Sequence, residues 1–151
     1  MTVQKVIVFR LNDELYGVPV EQVVSIEKWE SVTRVPNAPS FIKGIINLRG
    51  EILPVIDLKQ RFGLGVSTQA EESRLVIAQN DAIKLGLIVD EAKDVIDLES
   101  ESVDPSPEAA IGKTSTYIYG VAKHEDDLLI LLNLEKVLRD DHLEAINQIE
   151  V

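Results

Sequence analysis

The chain has 151 residues, 45% of them hydrophobic, which suits one ordinary domain or two very small ones and argues against disorder. A formal net charge of −11 makes nucleic acid and anionic membrane poor partners, because both reward clustered Lys and Arg. The absence of cysteine excludes disulfides and thiolate metal sites; no apolar run approaches the roughly 20 residues of a membrane span and no signal peptide is evident, so a cytoplasmic protein is expected.

With 18 Val and 16 Ile, the composition favours strands. Val6 to Leu11 reads as the first, Asn12 to Glu14 as its turn and Leu15 to Val20 as the return. Val23 to Trp29 is a third strand. "VPNAPSF", from Val35 to Phe41, carries two prolines and is a loop or a single helical turn. Gly44 to Leu48 and Glu51 to Ile56 form a hairpin about Arg49-Gly50. Asp57 is a good N-cap, and Gly63 a good stop, for a short helix between them. From Ser73 the pattern begins again, with strands Leu75 to Ala78 and Ile83 to Val89 about a turn at Asn80-Asp81, then Lys93 to Leu98. Residues 99–116 are polar, contain Pro105 and Pro107, and read as a long loop with one helical turn. Tyr117 to Lys123 and Leu128 to Leu132 make a last hairpin around "HEDD". Asn133 then caps a helix bearing Leu134, Val137 and Leu138, and a further helix carries Leu143, Ile146 and Ile149.

Two offsets relate the halves. At 76 residues, Gly44-Ile45 falls on Gly120-Val121, Val55-Ile56-Asp57-Leu58 on Leu131-Leu132-Asn133-Leu134, and Phe62 on Leu138. At 69 residues, Val6-Ile7-Val8 falls on Leu75-Val76-Ile77 and Tyr16-Gly17-Val18 on Leu85-Gly86-Leu87. Apolar matches alone are cheap in so hydrophobic a chain. The coincidence of glycine, the Asp/Asn cap and the spacing is not, and it points to a duplication. Each half then holds about five short strands, and closing them into a small barrel removes most of the exposed edge. The expected fold is all-β, in a single domain over 1–151. Two intertwined five-stranded barrels, about 15–70 and about 73–138, pack through an apolar seam, with short helices after the hairpins. The N-terminal strand and a C-terminal helix pack across them.

An enzyme needs a nucleophile, a base or a metal held close together, and candidates are few. His124 in "KHEDD" and His142 in "DDHLE" read as solvated, as do Glu71-Glu72, Glu99 to Glu101 and Asp140-Asp141. There is no Walker loop, GxGxxG or GxSxG. Trp29 reads as partly buried core, with an interface anchor as the alternative. No catalytic residue, cofactor or metal is expected. The missing nucleophile–base pair disfavours a small β-barrel enzyme, and the charge disfavours a nucleic-acid-binding barrel pair.

Arg49 is the residue without an obvious task. A two-residue hairpin turn wants residues tolerant of positive φ, and Gly50 meets that need. Arg49 could be solvated, or paired with Glu51 across the tip for under about 1 kcal/mol. A guanidinium held on a stiff hairpin could instead dock a carboxylate or carbonyl of a partner. The second hairpin carries Glu125 at the equivalent place, so the repeat fold does not need an arginine there.

"PSFIKGIINLRGEILPVIDLKQRFG", Pro39 to Gly63, resembles the signature of the bacterial chemotaxis coupling (CheW) family. "FRLNDELYGVPVEQVVSI" is similar to the family's first strands, "VTRVPNAP" to the following loop, "LGLIVDEAKDVIDL" to the start of its second half and "ILLNLEKVL" to its end. The resemblance implies two SH3-like five-stranded barrels and a non-catalytic cytoplasmic adaptor. Such an adaptor is a monomer on its own and is recruited to membrane-associated receptor arrays without entering the membrane. Two partners are implied. The cytoplasmic tip of methyl-accepting chemotaxis receptors, a helical hairpin, docks in the groove between the barrels. The regulatory domain of the histidine kinase CheA pairs barrel end to barrel end. The implied receptor-side residues are Arg49 and Asn47 of "NLRG", with Val23, Ile26 and Glu27. The implied kinase-binding or coupling residues are Gly44, Gly86 and Leu87, although glycine can simply permit close strand packing. Many members carry an acidic residue where this chain has Ser25, and Glu27 is then the nearest carboxylate. The alternative is a module of the same family in another scaffold or two-component signalling assembly.

Overall fold

The computed structural model describes residues 3–80, 83–104 and 117–137. Their strands are β1 (Val3–Leu11), β2 (Glu14–Pro19), β3 (Val23–Lys28), β4 (Ile42–Leu48), β5 (Glu51–Asp57), β6 (Arg74–Gln79), β7 (Lys84–Val89), β8 (Glu91–Glu99), β9 (Val103–Asp104), β10 (Ile118–His124) and β11 (Asp127–Leu132). Two single-turn helices, α1 (Leu58–Arg61) and α2 (Leu134–Val137), follow the hairpins β4–β5 and β10–β11 as expected. Asp57 caps α1, its Oδ1 accepting from the backbone N–H of Lys59 at 3.0 Å, and Asn133 Oδ1 accepts from Lys136 N at 3.3 Å. Asp57 is also fully buried and binds Ser67 through its N–H at 2.8 Å and its hydroxyl at 2.6 Å, which ties the chain after α1 back to the cap. The expected helical turn after β8 is a 3-10 turn at Ser100–Ser102. The expectations for residues 105–116, Leu138, Asp140-Asp141, His142 and the helix bearing Leu143, Ile146 and Ile149 lie outside the described residues.

The strands form two sheets. One has the order β3-β6-β7-β5-β4, the other β8-β1-β2-β11-β10-β9. The first is therefore contiguous in sequence from β3 to β7. The second combines the N-terminal hairpin with everything from β8 onward. These limits differ from the subdomains 15–70 and 73–138 expected from the repeat, because each repeat lends strands to both sheets. The lead hairpin of each repeat, β1–β2 or β6–β7, pairs with the later strands of the other. The two offsets survive this exchange. Val55 pairs in parallel with Gly86, and their counterparts Leu131 and Gly17 also pair in parallel. The second sheet also holds a sixth strand, the two-residue β9, beyond the five expected.

Neither sheet closes by an unbroken hydrogen-bond ladder. In each, the chain leaving one edge strand turns across the sheet and pairs with the other edge. Thr33, after β3, exchanges hydrogen bonds with Ile45 of β4 at 2.9 and 2.8 Å. At the 76-residue offset, Val121 of β10 pairs with Asp104 of β9, which follows β8. This gives two small SH3-like barrels with a core each: Leu53, Val55, Leu75, Ile77 and Ile88 in the first, Val6, Val8, Leu98, Leu129 and Leu131 in the second. A larger cluster, including Ile7, Phe9 and Val18 from the second barrel and Ile56, Val76 and Leu87 from the first, fills the seam between them.

Candidate functional site

The β4–β5 tip is a two-residue turn in which Arg49 (φ 53°) and Gly50 (φ 88°) both take left-handed backbone, the pattern of a type I′ turn. The turn thus requires positive φ from Arg49 as well as from Gly50, which the sequence reading did not anticipate. Asn47 Oδ1 accepts the N–H of Gly50 at 3.0 Å and clamps the turn from inside. The Arg49 side chain is 70% exposed, and its Nη2 lies 3.3 Å from Glu27 Oε2 on β3. The alternative pairing with Glu51 is not made. Glu51 instead binds Lys84 Nζ at 2.8 Å.

A bulge on β3 sorts the other expected receptor-side residues. Val23 pairs with Ala78 and Ser25 with Ile77, leaving Val24 unpaired. Because of that extra residue, Val23 and Ile26 share the face of Ala78 and Val76, which looks into the seam; a regular strand would put them on opposite faces. Val23 is half-buried there and Ile26 is exposed at the margin. Ser25 and Glu27 lie on the other face, alongside Ile77 and Leu75 of the first barrel's core. Ser25 Oγ is buried and makes no hydrogen bond among the described residues. Glu27, one pleat further along the same face, supplies the carboxylate facing Arg49. Arg49, Asn47 and Glu27 thus form one group at a barrel end, while Val23 and Ile26 form another at the seam.

Gly44, Gly86 and Leu87, expected as kinase-binding or coupling residues, are all buried in the framework of the first barrel. Gly44 (φ 152°) stands where the backbone of Thr33 crosses β4, and a Cβ there would collide with the Thr33 carbonyl oxygen. Its counterpart Gly120 stands 3.1 Å, measured from a Cβ position, from the carbonyl oxygen of Asp104 on β9. Gly86 sits in mid-sheet against Ile77 and Val55, and Leu87 is fully buried in the seam.

One seam residue escaped the sequence reading. Val95 is 52% exposed and is the counterpart of Ile26 at the 69-residue offset. It pairs with Ile7, a member of the seam cluster, and β8 likewise carries a bulge, at Lys93. The offset was the signal that could have found it. Trp29 packs half-buried against the first barrel's core, as expected. At the open end of the second barrel a mostly apolar concavity is lined by Val3, Val20, Leu98, Val103 and Tyr119, with Lys5 and Glu21 at its rim. Burial, with the charge of Glu21, raises the Tyr119 phenol above its ordinary value. No three His, Cys, Asp or Glu side chains among the described residues could hold a metal ion, and no helix among them is long and apolar enough to cross a membrane.

Residues 5–142 match the model of the CheW-like domain. Over 137 residues the chain is 41% identical to the chemotaxis protein CheW of Bacillus subtilis, covering 91% of this chain and 88% of that one. It is 36% identical over 148 residues to the chemotaxis protein CheW of Klebsiella aerogenes, covering 97% and 88%. Among solved structures it resembles the scaffolding protein TtCheW of Thermoanaerobacter tengcongensis, with a TM-score of 0.83 and 39% identity over 93% of this chain and 91% of that one.

Proposed function

The chain belongs to the CheW-like domain family of chemotaxis adaptors, and on that premise we infer that it works without catalysis, joining the cytoplasmic tip of methyl-accepting receptors to the histidine kinase CheA. The observation that carries this reading is the hairpin tip. A largely exposed guanidinium stands beside Glu27 on a turn that Asn47 locks, so its backbone is set before any partner arrives. An arginine carried on so stiff a turn offers its free donors to a carboxylate or to the carbonyls of a helical hairpin. On the face of β3 opposite Glu27, Val23 and Ile26 border the apolar seam, and Val95 borders it from the other barrel. An amphipathic helix laid along the seam would bury these residues while Arg49 engages its polar side. The apolar concavity at the second barrel's end suits the barrel-end pairing proposed for the kinase. Gly44, Gly86 and Leu87 contribute by shaping the barrels. The protein acts in the cytoplasm, recruited to receptor arrays.

The test is co-precipitation of a receptor cytoplasmic fragment and the kinase with this chain, which should yield a ternary complex. Arg49→Ala, with its circular dichroism unchanged, should weaken receptor binding by about tenfold or more and spare kinase binding. Wild-type receptor affinity in that variant would remove the arginine from the contact.

A further inference from the structure

Arg10, Asn12, Lys59 and Asp90 converge from distant parts of the chain on one polar cluster that crosses the seam. Asp90 is the crossover between β7 of the first barrel and β8 of the second. Its Oδ2 accepts the backbone N–H of Asn12 at 2.7 Å and lies 3.2 Å from Lys59 Nζ. Lys59 Nζ also donates to Asn12 Oδ1 at 3.2 Å. Arg10 Nη1 donates to the Asn12 carbonyl at 2.7 Å and stands 3.9 Å from Asp90 Oδ2, while Arg10 Nε pairs with Glu91 at 3.3 Å. Lys59 follows the first barrel's β5, whereas Arg10 and Asn12 belong to the β1–β2 hairpin of the second. The Lys59 and Asp90 side chains are only 11% and 14% exposed, so solvent screens their attraction weakly.

The duplication shows that the fold does not require this cluster. At the same offsets Lys59 becomes Glu135, Asp90 becomes Glu21 and Arg10 becomes Gln79. Two carboxylates stand where the ion pair would be, so the other crossover, Val20–Gln22, has no such pair. Apolar packing across the seam is non-directional and tolerates small rotations, whereas charge-assisted hydrogen bonds fix direction. We propose that Lys59 and Asp90 form an ionic latch, present at one of the two crossovers, that sets the angle between the barrels and hence the width of the seam. Both are positioning residues for receptor docking, and this part rests on the seam being the receptor groove.

The absence of cysteine allows a direct measurement. Glu72→Cys before β6 and Lys123→Cys on β10 place one spin label on each barrel at exposed positions. The distance distribution should be narrow in the otherwise unaltered chain, shifted or broadened by Lys59→Met, and restored by Lys59→Arg. Asp90→Asn, which keeps an acceptor for the Asn12 N–H, should act like Lys59→Met and serves if that variant folds poorly. Receptor-fragment affinity should fall roughly three- to tenfold in the latch variants, the size expected of residues that act on a binding site without touching the ligand, with kinase affinity unchanged. An unchanged distribution in both latch variants overturns the latch. A broadened distribution with unaltered receptor affinity overturns the positioning role. Failure of the unmutated chain to bind receptor at all is instead a failure of the docking reading.

Discussion

Arg49 occupies left-handed backbone that a non-glycine residue adopts at a cost of about 1 kcal/mol. Its exposed pair with Glu27 offsets only part of that. Asn is the favoured first residue of a type I′ turn. Arg49→Asn should therefore raise stability by roughly 0.5–1 kcal/mol, read as a higher urea midpoint, while weakening receptor binding. A lower midpoint would mean that the turn stores no strain at this residue. Tyr16 makes a separate prediction. Its phenol is pushed up to about 12, chiefly by burial and then by the charge and hydrogen bond of Glu14. The folded chain thus retains a proton that the unfolded chain releases near pH 10. Its contribution to stability is fully present below about pH 10 and is lost as pH rises through about 12. Tyr16→Phe should reduce the fall in melting temperature between those pH values. Tyr119, raised in the same direction, leaves a residual slope. Identical alkaline slopes in the two proteins would contradict the assignment.

At the scale of single elements, the repeat separates what folding requires from what it does not. Gly44 and Gly120 each stand where a closing segment crosses a β-strand at a bulge. Gly44→Ala should destabilise by more than about 2 kcal/mol, because the added methyl group meets the Thr33 backbone, which cannot yield, at a positive φ. Gly120→Ala should cost less than Gly44→Ala, because its Cβ overlaps the Val103 side chain, which can move, and only abuts the Asp104 carbonyl. Gly86→Ala should cost much less, since its Cβ would stand 3.4 Å from Ile77 Cδ1 and 3.6 Å from Val55 Cγ2. Chemical denaturation of the three variants checks this, and a Gly86 effect as large as the Gly44 effect would contradict it. The strands and caps were legible in the chain because their signals are local: alternation, Gly50 at a turn, Asp57 and Asn133 ahead of apolar residues. The bulge at Val24 was not, because an extra residue is defined only by the partner strand it fails to match. For the same reason nearness in sequence points to Glu51 as the partner of Arg49. The ion pair with Glu27 depends on the spatial approach of β3 to the hairpin tip, which sequence distance hides.

For the molecule as a whole, the duplication and an intertwining of its halves were readable, but which strands are exchanged was not. Offsets identify equivalent residues, and they do not say which copy a strand pairs with. The exchange has a consequence for folding. Either half of the sequence, residues 1–72 or 73–151, contains strands whose partners lie in the other half, so each exposes unpaired edges and part of an apolar seam. Residues 20–89 hold β3 to β7 and therefore a complete first sheet, with its own core and closing segment. The second sheet cannot be excised as one piece, because it needs both ends of the chain. Fragment 20–89 should accordingly retain cooperative β structure by circular dichroism and amide exchange. Fragments 1–72 and 73–151 should each lack it alone and regain it when mixed, since together they supply every pairing. Independent folding of either half would mean that strand exchange is a late rearrangement of two self-sufficient barrels. Failure of 20–89 to fold would mean that the seam, rather than the sheet, carries the stability of the first barrel.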